Sequence, residues 1–409
     1  MRKFCCFFLL AAMAACSPSP NNQFIRVNGM DLVLPSGETF FIRGTNLGHW
    51  LNPEGYLFLI RNTNSPYRLN QAFCEMVGPD FVREFWKQFK DNYIIRADIE
   101  YLASTGINTL RLPFHYKLFT DEDYLGLTSQ QDGFARIDNV ISWCREFGLY
   151  LILDMHDAPS GQTGDNIDDS YGYPWLFESE PAQQLFIDIW VRIAQYYANE
   201  PVILGYDLMN EPIAHYFENK DTLNLVIEPL FKRTVAAIRE KDKNHIILLA
   251  GAQWNSRFEG VFTDWTYDDN IMFTCHRYGC PPTADGIRDL IDFRDKTGLP
   301  MYMGEIGENS DEWIASMRKA LEENNIGWTF WPYKKLGNTR SFVQIPVPDD
   351  WDLVADFANH PRESYQTIRE IRPDMSLTRK ALDDYLENCK FENCIINQSY
   401  VDALTKQDL

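Results

Sequence analysis

Two glutamates carry the most readable chemistry in this chain: Glu211 in the segment GYDLMNEP and Glu305 in LPMYMGEIGEN. Each closes a short apolar run of the kind that forms a buried strand. A carboxylate at the end of such a run is costly to desolvate, so its presence there calls for a use. Two carboxylates facing one pocket are the minimum equipment for cleaving a glycosidic bond. An acid that must stay protonated near neutral pH needs burial or a nearby negative charge, and Glu305 would supply that charge to Glu211. Glu305 would itself need a cation to stay ionised, and Arg111 in NTLRLPF is the natural one. The competing explanation for either glutamate alone is a buried structural ion pair.

Such groups need a frame to hold them. Eight runs, at 40–48, 108–114, 149–156, 203–211, 245–251, 270–278, 300–307 and 327–333, are apolar nearly throughout, as strands covered on both faces are. Helix-like stretches fill the gaps, for example 81–105, 137–147, 180–198, 227–241 and 311–324. This alternation predicts an α/β chain folded as a single (β/α)8 TIM barrel. An open doubly wound sheet is the runner-up, but the first run carries no glycine-rich dinucleotide loop. Barrels of this kind keep their chemistry at the C-terminal ends of the strands. Those ends read, in order, Asn46 with His49, Arg111 with His115, His156, Asn210 with Glu211, His276 with Tyr278, Glu305, and Trp331. Polar and aromatic groups thus gather at one end of nearly every strand, which points to one pocket.

In chain order, the blocks GTNLGHWL, NTLRLPF, LDMHDAPSGQ, the NEP of YDLMNEP, HRY, GEIG and the Trp of FWPYKK resemble glycoside hydrolase family 5. The resemblance spans roughly residues 40–335. It implies retaining hydrolysis by double displacement on a β-glucan-type substrate, with Glu211 as acid/base and Glu305 as nucleophile. It further implies that Arg111, His156, Asn210, His276, Tyr278 and Trp331 line the subsite of the cleaved sugar. Asn210 would bond the sugar 2-hydroxyl, Tyr278 and Arg111 would hold Glu305, and Trp331 would floor the ring. The block GTNLGHWL and the stretch 162–169 are most similar to the exo-acting β-1,3-glucanase branch. His49 stands where that branch usually has glycine, Asp157 follows His156, and Pro332-Tyr333 follows Trp331. Sugar, linkage and endo or exo attack therefore stay open.

Composition narrows the partners. With 58 acidic and 38 basic residues the net charge is −20, and no basic stripe is present, which excludes nucleic acid and disfavours an anionic polymer. A neutral β-linked polysaccharide or oligosaccharide fits, no cofactor or metal is called for, and a monomer needs no further assumption. Residues 1–16 read as a lipoprotein signal peptide: Arg2 and Lys3, an apolar run, then Met13-Ala14-Ala15-Cys16, with Cys16 the lipidated residue. Residues 17–22 form a tether, 23–388 the catalytic barrel and 389–409 a C-terminal tail. The expected location is a bacterial membrane, reached through the lipid anchor alone. An exported chain permits disulfides, and Cys275 with Cys280 or Cys389 with Cys394 are near enough in sequence to pair. The carboxylates Asp165, Asp168 and Asp169 are read as a solvated acidic loop, with sugar or calcium contacts as alternatives. Two other functions compete: a non-catalytic glycan-binding lipoprotein on the same scaffold, and a metal-dependent hydrolase using His156, His276 and a carboxylate.

Overall fold

A computed structural model describes residues 23–165 and 167–406. The signal, the tether and Cys16 lie outside the described residues. Eight parallel strands close into a barrel: β1 (Arg43–Asn46), β2 (Thr109–His115), β3 (Tyr150–Asp157), β4 (Ile203–Asp207), β5 (Ile246–Ala250), β6 (Ile271–His276), β7 (Met301–Glu305) and β8 (Gly327–Phe330). They neighbour one another in chain order, and β8 returns to pair with β1 through Thr329 with Gly44. Six of the eight strands fall inside the runs read from the sequence, and β2 and β3 run one residue past theirs, to His115 and Asp157. Their side chains are buried almost without exception, because helices cover the outside while other strands' side chains fill the inside.

The barrel floor is apolar. Ile152, Leu204, Ile246, Leu248, Met272 and Tyr302 cluster there, and a three-stranded antiparallel sheet (Arg26–Asn28, Asp31–Val33, Thr39–Phe40) plugs it with Leu32 and Phe40. Polar atoms are thereby left to the opposite rim.

Helices follow most strands, and serines start several of them: Ser129, Ser179 and Ser310 accept from backbone N–H groups of the first turns. The sequence pattern had one helix over 81–105; the chain instead forms Pro79–Asn92 and Arg96–Ser104, because Asp98 caps the second by accepting from the Ile95 N–H at 2.8 Å. The link from β5 to β6 departs from the alternation. It holds only the four-residue turn Ala252–Asn255, in which Gln253, Trp254 and Asn255 all take positive φ.

The tail docks onto the barrel. Ile395–Ile396 pairs with the strand Val343–Ile345, and the helix Gln398–Thr405 buries Tyr400, Val401 and Leu404 against Asp311–Glu323. The pairings entertained for cysteine are not made: Cys275, Cys280, Cys389 and Cys394 are all free thiols, as are Cys74 and Cys144. Cys275 lies within β6 and its thiol meets the Tyr302 carbonyl, while Cys389 meets the Leu386 carbonyl one helical turn back. Cysteines five residues apart in sequence are held by these elements instead of by each other.

Candidate active site

Arg111 is the centre around which the site is built. It sits mid-strand in β2 with its guanidinium fully buried. Its donors reach Asp207 Oδ2 at 2.9 Å, Asp154 Oδ1 at 3.0 Å, Glu305 Oε1 at 2.6 Å, Asn46 Oδ1 at 3.0 Å and Asn210 Oδ1 at 3.0 Å. One planar fork therefore ties β1, β2, β3, β4, β7 and the loop after β4. Burying a cation is tolerable only because opposite charges and acceptors surround it. Burial still pushes the Asp207 carboxyl up to about 7 against the pull of Arg111.

Glu305 ends β7. Besides Arg111 it accepts from the Tyr278 hydroxyl at 3.1 Å through its other oxygen. The Tyr278 ring is 40% exposed at the pocket mouth, so the residue spans from solvent to the carboxylate. Glu211 is not on a strand. β4 stops at Asp207, and Glu211 lies four residues on with φ of 48°, an uncommon conformation for a non-glycine residue. Its backbone N–H donates to Asn255 Oδ1 at 3.2 Å, and Thr163 Oγ1 donates to its carbonyl at 2.8 Å. These contacts, from the β5 turn and the β3 loop, hold the strained turn that swings the carboxyl inward.

His276 bridges the pair. Its Nδ1 lies 3.0 Å from Glu211 Oε1 and 3.6 Å from Glu305 Oε2. Burial drops its pKa to about 3, so the ring is neutral and Nδ1 shares a hydrogen bond with Glu211. A carboxyl oxygen of Glu211, a ring nitrogen of His276 and a carboxyl oxygen of Glu305 all lie within 4.8 Å of one another. Burial also raises the Glu211 carboxyl to about 7, outweighing the opposing pull of His156 and Arg111.

His156 and Trp331 form the adjoining wall, their rings stacked with centroids 5.5 Å apart and planes 5° from parallel. Burial alone would lower the His156 pKa, but Asp154 at 2.7 Å, with Glu54 and Glu305, holds it well above its ordinary value. Asn210 Nδ2 lies 3.4 Å from His156 Nε2. Trp331 fits only because residue 48 is glycine: a Cβ there would sit 2.3 Å from the indole. The eight site residues named from the sequence thus gather at one rim: His156, Glu211, Tyr278, Glu305 and Trp331 line a cavity of about 390 Å³, and the buried Arg111, Asn210 and His276 hold them through hydrogen bonds and ion pairs.

The sequence reading missed Glu54, Tyr56, Asp154 and Asp207. Glu54 lines the cavity, is 4% exposed, has its carboxyl raised to about 7 by burial, and turns Oε1 towards His156 Nε2 at 3.7 Å. Tyr56 takes the indole N–H of Trp331 on its hydroxyl. Asp154 and Asp207 were legible as acids within the apolar runs LILDMH and ILGYDL; attention to strand ends passed over them. Glu54 and Tyr56 stand in the loop after β1, where sequence periodicity says nothing.

Two strand-end histidines lie elsewhere. His49 takes φ of 72°, the left-handed conformation that explains glycine as the usual occupant. Its ring is sealed among Phe58, Phe89 and Tyr93, and Nδ1 accepts from the Glu54 N–H at 3.1 Å. It therefore sits beneath the cavity and supports Glu54. His115 faces Asp157 and Asp169, each 3.2 Å from Nε2, while its Nδ1 accepts from the Lys117 N–H. Burial disfavours a charged ring here, but Asp157 and Asp169 outweigh it and raise the His115 pKa to about 9; with Nδ1 facing the Lys117 N–H, the proton shared with the carboxylates lies at Nε2, and the trio is a hydrogen-bonded buttress. The acidic loop is correspondingly not solvated. Asp168 is 3% exposed and accepts from the Thr163 N–H at 2.7 Å, and Asp169 accepts from the Tyr67 N–H at 3.0 Å.

Residues 72–337 match the family model described as Cellulase (glycosyl hydrolase family 5). The chain belongs to glycosyl hydrolase family 5. As a member it is a glycosidase that hydrolyses O-glycosyl bonds. It is 26% identical over 349 residues to a beta-xylosidase of Phanerodontia chrysosporium, covering 77% of this chain and 71% of that one. It is 27% identical over 319 residues to endoglucanase C of Acetivibrio thermocellus, covering 62% and 87%. Among solved structures, endogalactoceramidase superposes with a TM-score of 0.58 at 20% identity, over 76% of this chain and 75% of that one, a likeness of fold.

Proposed function

We propose that this glycosidase cleaves β-glucan-type polysaccharide or oligosaccharide with retention, with Glu211 as acid/base and Glu305 as nucleophile. One carboxyl oxygen of Glu211 lies within 4.8 Å of one of Glu305, an approach that carries the reading. Retaining enzymes hold the pair about 5–5.5 Å apart, whereas inverting ones need about 6.5–9.5 Å to admit a water between them. Glu305, bonded to Arg111 and Tyr278, is held as a charged nucleophile. Glu211, protonated below about pH 7, gives its proton to the leaving oxygen and then takes one from water in the second displacement. Asn210, held by Arg111, presents its amide to the sugar 2-hydroxyl, and Trp331 floors the subsite. The matched endoglucanase C and the glucan 1,3-beta-glucosidase of Kluyveromyces lactis (30% identical over 194 residues, 43% of each chain) support a glucan substrate. A pure glycan binder would have no use for a nucleophile held charged beside a protonated acid. Proton NMR of a hydrolysis started with enzyme tests the mechanism: β-anomer appears first, and α-anomer first refutes it.

We infer further that the chain is a bacterial lipoprotein joined to the membrane at Cys16, on the order of charged, apolar and small segments before that cysteine. It works as a monomer. Cys16→Ser should move the enzyme from the membrane to the soluble fraction, and an unchanged distribution would refute the anchor.

A further inference from the structure

Beside the catalytic cavity lies a second groove, of about 820 Å³, for which the chemistry at Glu211 and Glu305 has no need. Its walls come from the loops after β1, β2, β3 and β4 and from residues 359–363, the last beyond the stretch matched to the family. One loop separates the two spaces: Ile167 faces the catalytic cavity, whereas Gly164, Asp165 and Asp168 face the groove.

Four tyrosines, Tyr67, Tyr116, Tyr171 and Tyr216, line it. Tyr171 is 84% exposed, Tyr67 53% and Tyr216 50%, so large flat apolar rings are left facing water. The Tyr67 and Tyr171 rings lie 6.4 Å apart at 49°, forming an angled wall. Tyr171 has φ of 57°, which strains a bulky residue and is kept only where the surroundings enforce it. Those surroundings are firm. Asp169 ties the loop to the Tyr67 N–H and His115, and its own N–H donates to Asp157 at 2.9 Å. A Cβ on Gly164 would strike Pro174 at 2.5 Å and Phe217 at 2.6 Å, so the loop is packed down on its base. Rigid exposed aromatic rings among amide, hydroxyl and guanidinium groups, such as Asn62, Asn359 and Arg68, suit a ligand with alternating apolar faces and hydroxyl edges. A chain of neutral sugars has that surface.

We propose that this groove is a second glycan-binding site, which holds a segment of neutral polysaccharide while another segment is at the catalytic pair. The proposal rests on the glycosidase reading for its ligand class, but its test is separable. Preorganised rings lose little freedom on binding, so their removal reads directly as affinity. The parent is the full chain carrying Glu305→Gln, run in native gels containing β-1,3-, β-1,4- or mixed-linkage glucan. At least one neutral glucan should retard it, and adding Tyr67→Ala with Tyr171→Ala should weaken that retardation about tenfold. In the otherwise unaltered enzyme, the same two substitutions should raise KM for that glucan while leaving hydrolysis of an aryl β-glycoside unchanged. Both rings are solvent-facing, and an unchanged melting temperature confirms the fold. Equal retardation with and without the tyrosines overturns the groove, as does a parent that no neutral glucan retards. Stronger retardation by polygalacturonate overturns the ligand class. Failure of the unaltered enzyme to cleave any glucan or aryl β-glycoside would instead count against the glycosidase reading, and the gel result would stand by itself.

Discussion

Replacing Glu211 with glutamine separates the energetic cost of a buried acid from its use. Burial raises this carboxyl from 4.5 to about 7. Between those values the folded chain keeps a proton that the unfolded chain has released. Stability therefore falls as pH rises through this window, and the penalty is complete above pH 7. At about 1.4 kcal/mol per unit, a shift of roughly two and a half units costs about 3 kcal/mol at alkaline pH and almost nothing near pH 4. Glutamine abolishes the titration yet keeps an amide able to donate to or accept from His276 Nδ1, now 3.0 Å from Glu211 Oε1. With an unfolding entropy of roughly 0.8 kcal/mol/K for a chain of this size, Glu211→Gln should melt about 4 °C above the parent at pH 8 and together with it near pH 4. Calorimetry at a series of pH values gives the comparison. The same substitution removes the acid, so hydrolysis of glucan should drop by about 10²–10⁴. Aryl glycosides with good leaving groups should lose less in the first step, and azide should speed the second. An equal melting difference at both pH extremes, or one confined to acid, would refute the assignment of a buried protonated carboxyl at residue 211.

Other positions give independent checks. Tyr278→Phe deletes the 3.1 Å bond to Glu305; a hydrogen bond to a charged group is worth about 1.5–3 kcal/mol, so kcat should fall about 10- to 100-fold with KM little changed. Arg111→Met leaves Asp154, Asp207 and Glu305 without their shared cation, which should cost about 3–5 kcal/mol in denaturant titration. Gly48→Ala drives a methyl to within 2.3 Å of Trp331, so KM should rise and stability fall by about 1–3 kcal/mol; a fully active, equally stable variant would show that the indole yields freely. Glu54→Gln should leave the alkaline limb of kcat/KM near pH 7 in place if Glu211 sets it, and loss of that limb would reassign it to Glu54.

The amino-acid order by itself determined the barrel and most of its rim. Parallel strands buried on both faces must be apolar along their length, so runs such as LYLILDMH and HIILLAG announce themselves. A polar group within or at the end of such a run is costly enough to mark a site, which is why Arg111, His156, His276 and Glu305 were legible, with the aromatic Trp331 following the last strand. Those residues had one frame to occupy and one end of it to face. The two histidines misplaced by that rule, His49 and His115, show its limit: a rim position does not say whether a ring turns into the cavity or beneath it.

Tertiary structure alone decided the rest, since loops follow no period and their contacts join distant parts of the chain. Glu54 reaches the pocket because His49 accepts its N–H, and Glu211 turns inward through Asn255 and Thr163, which lie 44 and 48 residues away. The cysteines stayed apart because a strand and a helix held them. Asp168 and Asp169 became a rigid shelf once Thr163, Tyr67 and His115 enclosed them, although their composition reads as a solvated loop. Proton positions belong to this second class as well. Whether an acid is charged depends on the field of every neighbour at once, and that field exists only when the chain has closed around it.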